Sequence, residues 1–233
     1  MTNYSQDPAF LDIYAKGLNP HGVTASEISG IPYSEIMEGK GVDDKLDIVY
    51  KGGKVTDLGE NYRMGEYTLW KNAHVDWGLR PTLKEAAQWR NTWLSLYKGV
   101  PQQWKEFIRL AKTYGYAETL AGRRFYIDQW GRNKWKSEAS AIMVPVQGSG
   151  ADMKYLAIAI MRASFEYLRF WGEIHDEVIY LCPNSYDPAT ECDKVKTVLN
   201  NLPYKEAWDY EPTVPFTWTV KWGYDWGTLE EVK

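Results

Sequence analysis

The chain has 233 residues, 44% of them hydrophobic and 25% charged, with a net charge of −4. That composition fits a globular protein with a substantial core and argues against a free-standing nucleic-acid binder. Mean hydropathy is −0.50 and no run of 18 apolar residues occurs, so no membrane span is expected. Met1-Thr2-Asn3-Tyr4-Ser5-Gln6-Asp7 has neither a basic region nor an apolar one, so no secretory leader is expected. Cys182 and Cys192 have no metal-ligand spacing and suit a reducing compartment such as the cytoplasm.

In chain order, Asp7-Pro8 followed by Ala9–Tyr14 and Gly17 predicts a short capped helix. A second short helix is expected around Ser34–Glu38, then Gly53–Gly65, then Glu66–Trp77 stopped by Gly78. Thr82-Leu83-Lys84-Glu85 is a capping box that opens a helix to about Tyr97. Pro101–Tyr114 follows with Gly115 as its stop, and Ala117–Ile127 reads as extended. A long apolar helix over about Ala151–Tyr167 leads into a hairpin over 168–182. Cys192–Leu202 reads as helical, and Val214–Val220 alternates as a final strand. The fold class is therefore α+β, helical at first and ending in a small antiparallel sheet.

Charge is unevenly placed. Residues 101–136 carry eight Lys/Arg against three acids, a net of +5, whereas 173–212 carry three against nine, a net of −6. A basic segment beside an acidic one suits a phosphate backbone next to a metal site, and equally two solvated faces of opposite sign. The acidic segment holds the most informative triplet, His175-Asp176-Glu177, flanked by the aromatic and β-branched runs Tyr167–Ile174 and Val178–Cys182. That pattern places two carboxylates at a hairpin turn, where they could hold hard divalent cations or be solvated turn chemistry.

Seven stretches in order resemble the family A DNA polymerases, of which bacterial DNA polymerase I and bacteriophage enzymes are members. They are Ser5–Leu11; Pro20-His21 with Thr24-Ala25; Gly53-Lys54 with Tyr62-Arg63-Met64-Gly65; Glu118–Arg124; Pro145–Asp152; His175-Asp176-Glu177; and Val214-Pro215 before Gly223-Tyr224-Asp225-Trp226. The Tyr62–Gly65 variant and the 12 tryptophans resemble the phage branch. The resemblance implies part of a right-hand polymerase, incomplete without a partner. Residues 1–30 would be the entry from palm to fingers, 31–116 the fingers with a nucleotide-binding helix at about 50–65, and 117–233 the C-terminal half of the palm.

It further implies template-directed addition of dNTPs to a primer 3′ end by two Mg²⁺ ions. By resemblance Asp176 is a catalytic metal ligand and Glu177 helps to hold the site. His175 resembles a primer-terminus contact, with a structural histidine as the alternative. Lys54 resembles the triphosphate contact, with a solvated lysine as the alternative, and His21 resembles a further phosphate contact. Tyr62, expected about 12 Å along the same helix, resembles the template-stacking tyrosine. Gln147 resembles the minor-groove reader, with a helix-entry cap partner as the alternative. Arg123 and Arg124 resemble DNA-backbone contacts.

Departures from the family pattern also carry information. Tyr50 stands where the family has an arginine, with Lys51 as a substitute charge; Met143 and Glu173 stand where it has asparagine and glutamine. The family's other catalytic aspartate lies in an Asp-Tyr-Ser-Gln-like motif about a dozen residues upstream of the Ser5-Gln6-Asp7 match. It is expected on an N-terminal polypeptide that also carries the thumb, with or without an exonuclease. The expected partners are thus primer-template DNA, dNTPs and that polypeptide, with no membrane, in the cytoplasm of a host cell if of phage origin. Three other readings stay open: a non-catalytic DNA- or protein-binding remnant, a fragment of one longer polymerase, and a single-subunit RNA polymerase. Glu177 and the Tyr62–Gly65 run favour DNA synthesis over the last.

Overall fold

The computed structural model describes residues 1–231, so the last two positions of the expected 117–233 segment lie outside the described residues. The chain is α+β: helices alternate with two-stranded sheets, and it divides into two compact units. One comprises 1–117 with 126–143, the other 118–125 with 144 onward.

The first unit begins with α1 (Thr2–Ser5), α2 (Pro8–Ala15), α3 (Pro20–Ser29), α4 (Tyr33–Gly39) and α5 (Asp44–Glu60). It continues with α6 (Glu66–Val75), α7 (Leu83–Leu96), α8 (Gly99–Tyr114) and α9 (Lys134–Met143). Local chemistry starts most of them. The Asp7 carboxylate accepts the backbone N–H of Ala9 (3.0 Å) and Phe10 (3.3 Å), with Pro8 in the first turn. Asp43 does the same for Lys45 and Leu46, and Thr82 and Glu85 form the reciprocal box at α7. Gly115 closes α8 at φ 78°, a left-handed conformation that glycine adopts without a Cβ clash.

Helix α3 was not expected, although Asn19, which caps Gly22 at 3.1 Å, followed by Pro20 is its signal. Helix α5 starts nine residues before the expected Gly53 and stops at Glu60 rather than Gly65. Its end is fixed by a reversal: Met64 N–H returns to the Gly59 carbonyl at 3.2 Å and Arg63 turns at φ 61°. Tyr62 is therefore past the helix, not two turns along it.

Helices α3 and α5 come close together at Gly53. A Cβ there would lie 2.5 Å from the His21 carbonyl oxygen and 2.6 Å from Ala25 N, so only glycine fits. The aromatic core joins Phe10, Trp93, Tyr97, Trp104 and Ile142; Phe10 and Tyr97 stack at 3.8 Å. A second cluster, Val55, Leu69, Ala73, Leu79 and Ala86, packs α5, α6 and α7 together.

Two short strands, β1 (Tyr116–Glu118) and β2 (Arg124–Tyr126), pair where extended chain was expected. The second unit continues with a π-helical turn over Val144–Gly148, then α10 (Ser149–Ser164), β3 (Arg169–Ile174), β4 (Glu177–Leu181) and α11 (Pro188–Asn200). It closes with α12 (Tyr204–Trp208), β5 (Lys221–Trp222) and β6 (Glu230–Glu231). Met153, Ala157 and Met161, each four residues apart, turn one face of α10 onto Phe165, Leu199, Leu202 and Tyr204. Strands β3 and β4 form an antiparallel hairpin with a bulge at Trp171, and Ile174 pairs with Glu177 across the tip.

The expected strand Val214–Val220 forms no ladder. Its alternation is nevertheless real: Phe216, Trp218 and Val220 pack on the core of this unit, and Trp218 N–H donates to Asn200 Oδ1 at 3.0 Å. Period-two burial needs only one apolar surface to lie on, whereas a strand also needs a neighbouring extended backbone to hydrogen-bond with.

Glu60, at the end of α5, is fully buried, and neither carboxyl oxygen has a hydrogen-bond partner; Arg90 Nε stands 3.5 Å away. Burial pushes its pKa up to about 8, against the weaker opposing pull of Arg90. The folded chain then holds a proton that the unfolded chain, titrating at 4.5, releases. Stability contributed by the neutral form is complete below about pH 4.5 and falls as pH rises toward about 8. Glu60→Gln should flatten this slope and stabilise the protein at pH 8 by about 2 kcal/mol. Urea denaturation at pH 5 and pH 8 checks it, and parallel pH dependence in both proteins would refute it.

Candidate active site

The expected site residues fall in two places, one in each unit. In the first, Lys54 lies on α5, half-buried, with Nζ 5.5 Å from the centre of the Trp77 ring. Among the described residues it forms no ion pair. His21 is at the start of α3, beside Gly53, and its Nδ1 is 2.7 Å from Asp57 Oδ2. Tyr62 packs against the Phe10–Trp93 core. Its template-stacking role was expected from a helical position that it does not occupy.

Tyr50, in place of the family arginine, is buried, with Lys40 Nζ 4.3 Å above its ring. Lys51 pairs with Asp47 at 2.7 Å, one turn earlier on the same helix. The substitute charge expected from Lys51 is thus engaged locally, and the cation beside Tyr50 is Lys40.

Asp57 is the residue of this region that sequence reasoning missed. It is 1% exposed and accepts Thr24 Oγ1 (2.8 Å) and Trp93 Nε1 (2.7 Å) on Oδ1 besides His21 on Oδ2. Its signal was an acid three residues after Lys54, on the neighbouring position of one helix face.

In the second unit, His175 and Asp176 form the two-residue turn between β3 and β4, and Glu177 opens β4. All three are exposed, and neither carboxylate is in an ion pair among the described residues. His175 has φ 51°, a left-handed conformation that is strained for a residue with a Cβ. Lys154, missed as one cation in an apolar helix, compensates for it. Its Nζ, on α10, donates to the His175 carbonyl at 2.9 Å and to Glu173 Oε2 at 2.8 Å, with only 10% of its side chain exposed. One ammonium therefore binds both the last turn of β3 and the tip itself. Glu173, which replaces the family glutamine, is the counter-ion that makes this burial tolerable.

Gln147 is exposed on the π-helical turn before α10, a widened backbone that tilts side chains out of the normal helical register. Met143 is exposed at the end of α9. Arg123 and Arg124 are both engaged within the chain. Arg123 Nε meets Asp152 Oδ1 at 2.8 Å and its Nη2 meets the Gly148 carbonyl at 3.1 Å, joining the β1–β2 turn to the start of α10. Arg124 pairs with Glu118 at 2.8 Å across that hairpin. Both arginines thus hold local structure, where the resemblance implies DNA-backbone contacts.

Carboxylate oxygens suit Mg²⁺, so Asp176 and Glu177 fit the expected ion in kind. They do not complete a site: no group of three His, Cys, Asp or Glu side chains able to hold an ion exists among the described residues.

A sequence model described as DNA polymerase family A matches residues 1–228. DNA polymerase I of Geobacillus stearothermophilus is 26% identical over 226 residues, which covers 91% of this chain and 24% of that protein. DNA polymerase I of Pseudomonas aeruginosa is 27% identical over 187 residues, 77% of this chain and 19% of that one. Among solved structures, the POL domain of Pol1 from M. smegmatis in complex with DNA primer-template and dNTP superposes with a TM-score of 0.71 at 20% identity. That match covers 92% of this chain and 35% of the other, and it shows the fold. The chain thus spans 24% and 19% of the length of the two polymerases and 35% of the solved domain.

Removing the Lys154 ammonium should loosen the tip. Lys154→Met leaves Glu173 and the strained His175 carbonyl without their donor, at a cost of about 2 kcal/mol. Amide hydrogen exchange should speed up at residues 173–177 before it does in α10. Unchanged exchange at the tip would show that the turn holds itself.

Proposed function

This chain belongs to DNA polymerase family A, and from that premise we propose that it is the C-terminal catalytic part of a DNA-directed DNA polymerase. On this reading it adds dNTPs to a primer 3′ end on a template, with residues 31–116 as fingers and 117–233 as the C-terminal half of the palm. The observation that carries the reading is the His175-Asp176-Glu177 tip: two exposed carboxylates on a hairpin held from beneath by a buried lysine, within a family match that runs almost the full chain.

The residues divide the work by chemistry. Asp176 presents a charged oxygen donor for divalent ions, and Glu177 supports it. Two Mg²⁺ ions, when bound, acidify the primer hydroxyl and neutralise the leaving pyrophosphate. His175 presents its imidazole at the tip, where a primer terminus would lie. Lys54 and His21 meet the triphosphate as cations, Lys54 as a point charge without the bidentate geometry of an arginine. Tyr62 would meet the template base from the reversal that follows α5, not from the helix itself. Gln147 reads minor-groove acceptors, which every correct base pair offers alike. Arg123 and Arg124 lie along the DNA backbone.

Two ions need carboxylates from more than one segment, and these residues supply one such segment. We assign the other aspartate to a second polypeptide, of the phage-type split arrangement, acting with this chain in the cytoplasm. The outward side of β3 supports a protein partner: Phe170, Trp171 and Ile174 are exposed at 51%, 59% and 44%. Among the described residues β3 pairs only with β4, which leaves an open sheet edge beside apolar surface.

Primer extension with Mg²⁺ tests the assignment. The chain alone should be nearly inactive, and the polypeptide encoded upstream should restore synthesis on mixing. In the restored complex Asp176→Asn should lower the rate at least about a thousandfold, on the order of 4 kcal/mol in the barrier. Synthesis by the lone chain would overturn the split arrangement, and normal rates for the variant would remove Asp176 from the chemistry. No activity in any combination would leave a DNA- or protein-binding remnant.

A further inference from the structure

Asp57 is buried one helical turn from Lys54, and the reading above gives it no work. We propose that Asp57 is the positioning residue of the triphosphate site: it fixes His21 with a proton on Nδ1 and serves as counter-ion to the imidazolium that meets the phosphates. The proposal rests on the nucleotide-site reading of Lys54 and His21, which it deepens.

Hydrogen-bond bookkeeping around the carboxylate carries the inference. Oδ1 takes two donors, Thr24 Oγ1 at 2.8 Å and Trp93 Nε1 at 2.7 Å. Thr24 has one proton and gives it to Asp57, so the 2.9 Å contact between Thr24 Oγ1 and the Tyr97 hydroxyl runs with Tyr97 as donor. Burial raises the Tyr97 pKa and Asp57 raises it further, so that phenol keeps the proton it donates. An ionised carboxylate is acceptor-only, so the 2.7 Å contact at Oδ2 requires N–H on His21 Nδ1.

The ring's other nitrogen, Nε2, is on the opposite edge. The His21 side chain is 27% exposed and that of Asp57 2%, so the exposed part of the pair belongs to the imidazole. With Nδ1 already protonated, a neutral His21 would show phosphate a lone pair, which repels. A second proton on Nε2 turns it into a charged donor, balanced from behind by a carboxylate that, among the described residues, is in no other ion pair. Two phenols also neighbour the pair: Tyr50, 6.4 Å from the His21 ring, and Tyr14, whose pKa is raised by burial first and also by Asp57. Gly53 brings the His21 backbone against α5 one position before Lys54.

Calorimetric titration of the full chain with inorganic triphosphate, together with ¹⁵N NMR of the histidine side chains, tests this. In the native protein His21 Nδ1 should be protonated before ligand is added, and Nε2 should gain a proton on saturation. Asp57→Asn turns an amide N–H toward Nδ1 and should move the neutral ring's proton to Nε2, removing the charge. Triphosphate should then bind at least about tenfold more weakly, as it should to His21→Ala. The double variant should lose no more than either single one, because the two residues act as a unit; a structural role for Asp57 would make the losses add. Full affinity in Asp57→Asn, or an unprotonated Nδ1 in the native protein, overturns the proposal. The native ¹⁵N titration decides the matter even if the variant fails to fold. Triphosphate affinity that is unchanged in both His21→Ala and Lys54→Ala overturns the nucleotide-site reading itself.

Discussion

Asp57 sets the geometry of the first unit, because a carboxylate at 1% exposure is tolerable only when donors converge on it. Thr24 and His21 reach it from α3, and Trp93 reaches it from α7. Each donor is a different kind of group, so the three distances of 2.7–2.8 Å fix the spacing and rotation of three helices at once. Apolar packing alone tolerates slippage of one side chain past another; a charge with three partners does not. The glycine at 53 is the steric counterpart, because it lets the two backbones come close enough for those bonds to form.

The second unit uses the same device with the sign reversed. There the buried charge is the Lys154 ammonium, and what it binds is the carbonyl of a strained turn and one carboxylate of β3. Hairpin tips are ordinarily the least constrained part of a sheet, whereas carboxylates proposed to hold ions need positions kept to a fraction of an ångström. A lysine reaching up from α10 ties the tip to a helix. The Glu173 carboxylate is part of that arrangement, so the departure from the family pattern at this position has a structural partner in Lys154.

Glu60 shows the opposite condition, a buried carboxyl whose oxygens have no hydrogen bond and whose nearest cation stands 3.5 Å off. It lies three positions after Asp57 on the same helix. One is fully satisfied and one is not, and only the partners supplied by other helices distinguish them.

What the sequence determined was local. The Asp7-Pro8 and Thr82–Glu85 starts, the Gly115 stop and the acidic hairpin turn were legible because each depends on residues within four positions of one another. The ordered motifs also made the family legible, since each is a short run whose residue types are set by chemistry. Tertiary structure decided the rest. It ended α5 before Tyr62 through a reversal stabilised by Gly59 and Met64, and it left 214–220 without a strand neighbour while keeping its alternate burial. It also chose the partners of the two buried charges: Asp57 meets Trp93 36 residues away, and Lys154 meets the His175 carbonyl 21 residues away. A charge reads in sequence as a solvated residue until the groups that desolvate and satisfy it are placed in space, and that placement is a property of the fold.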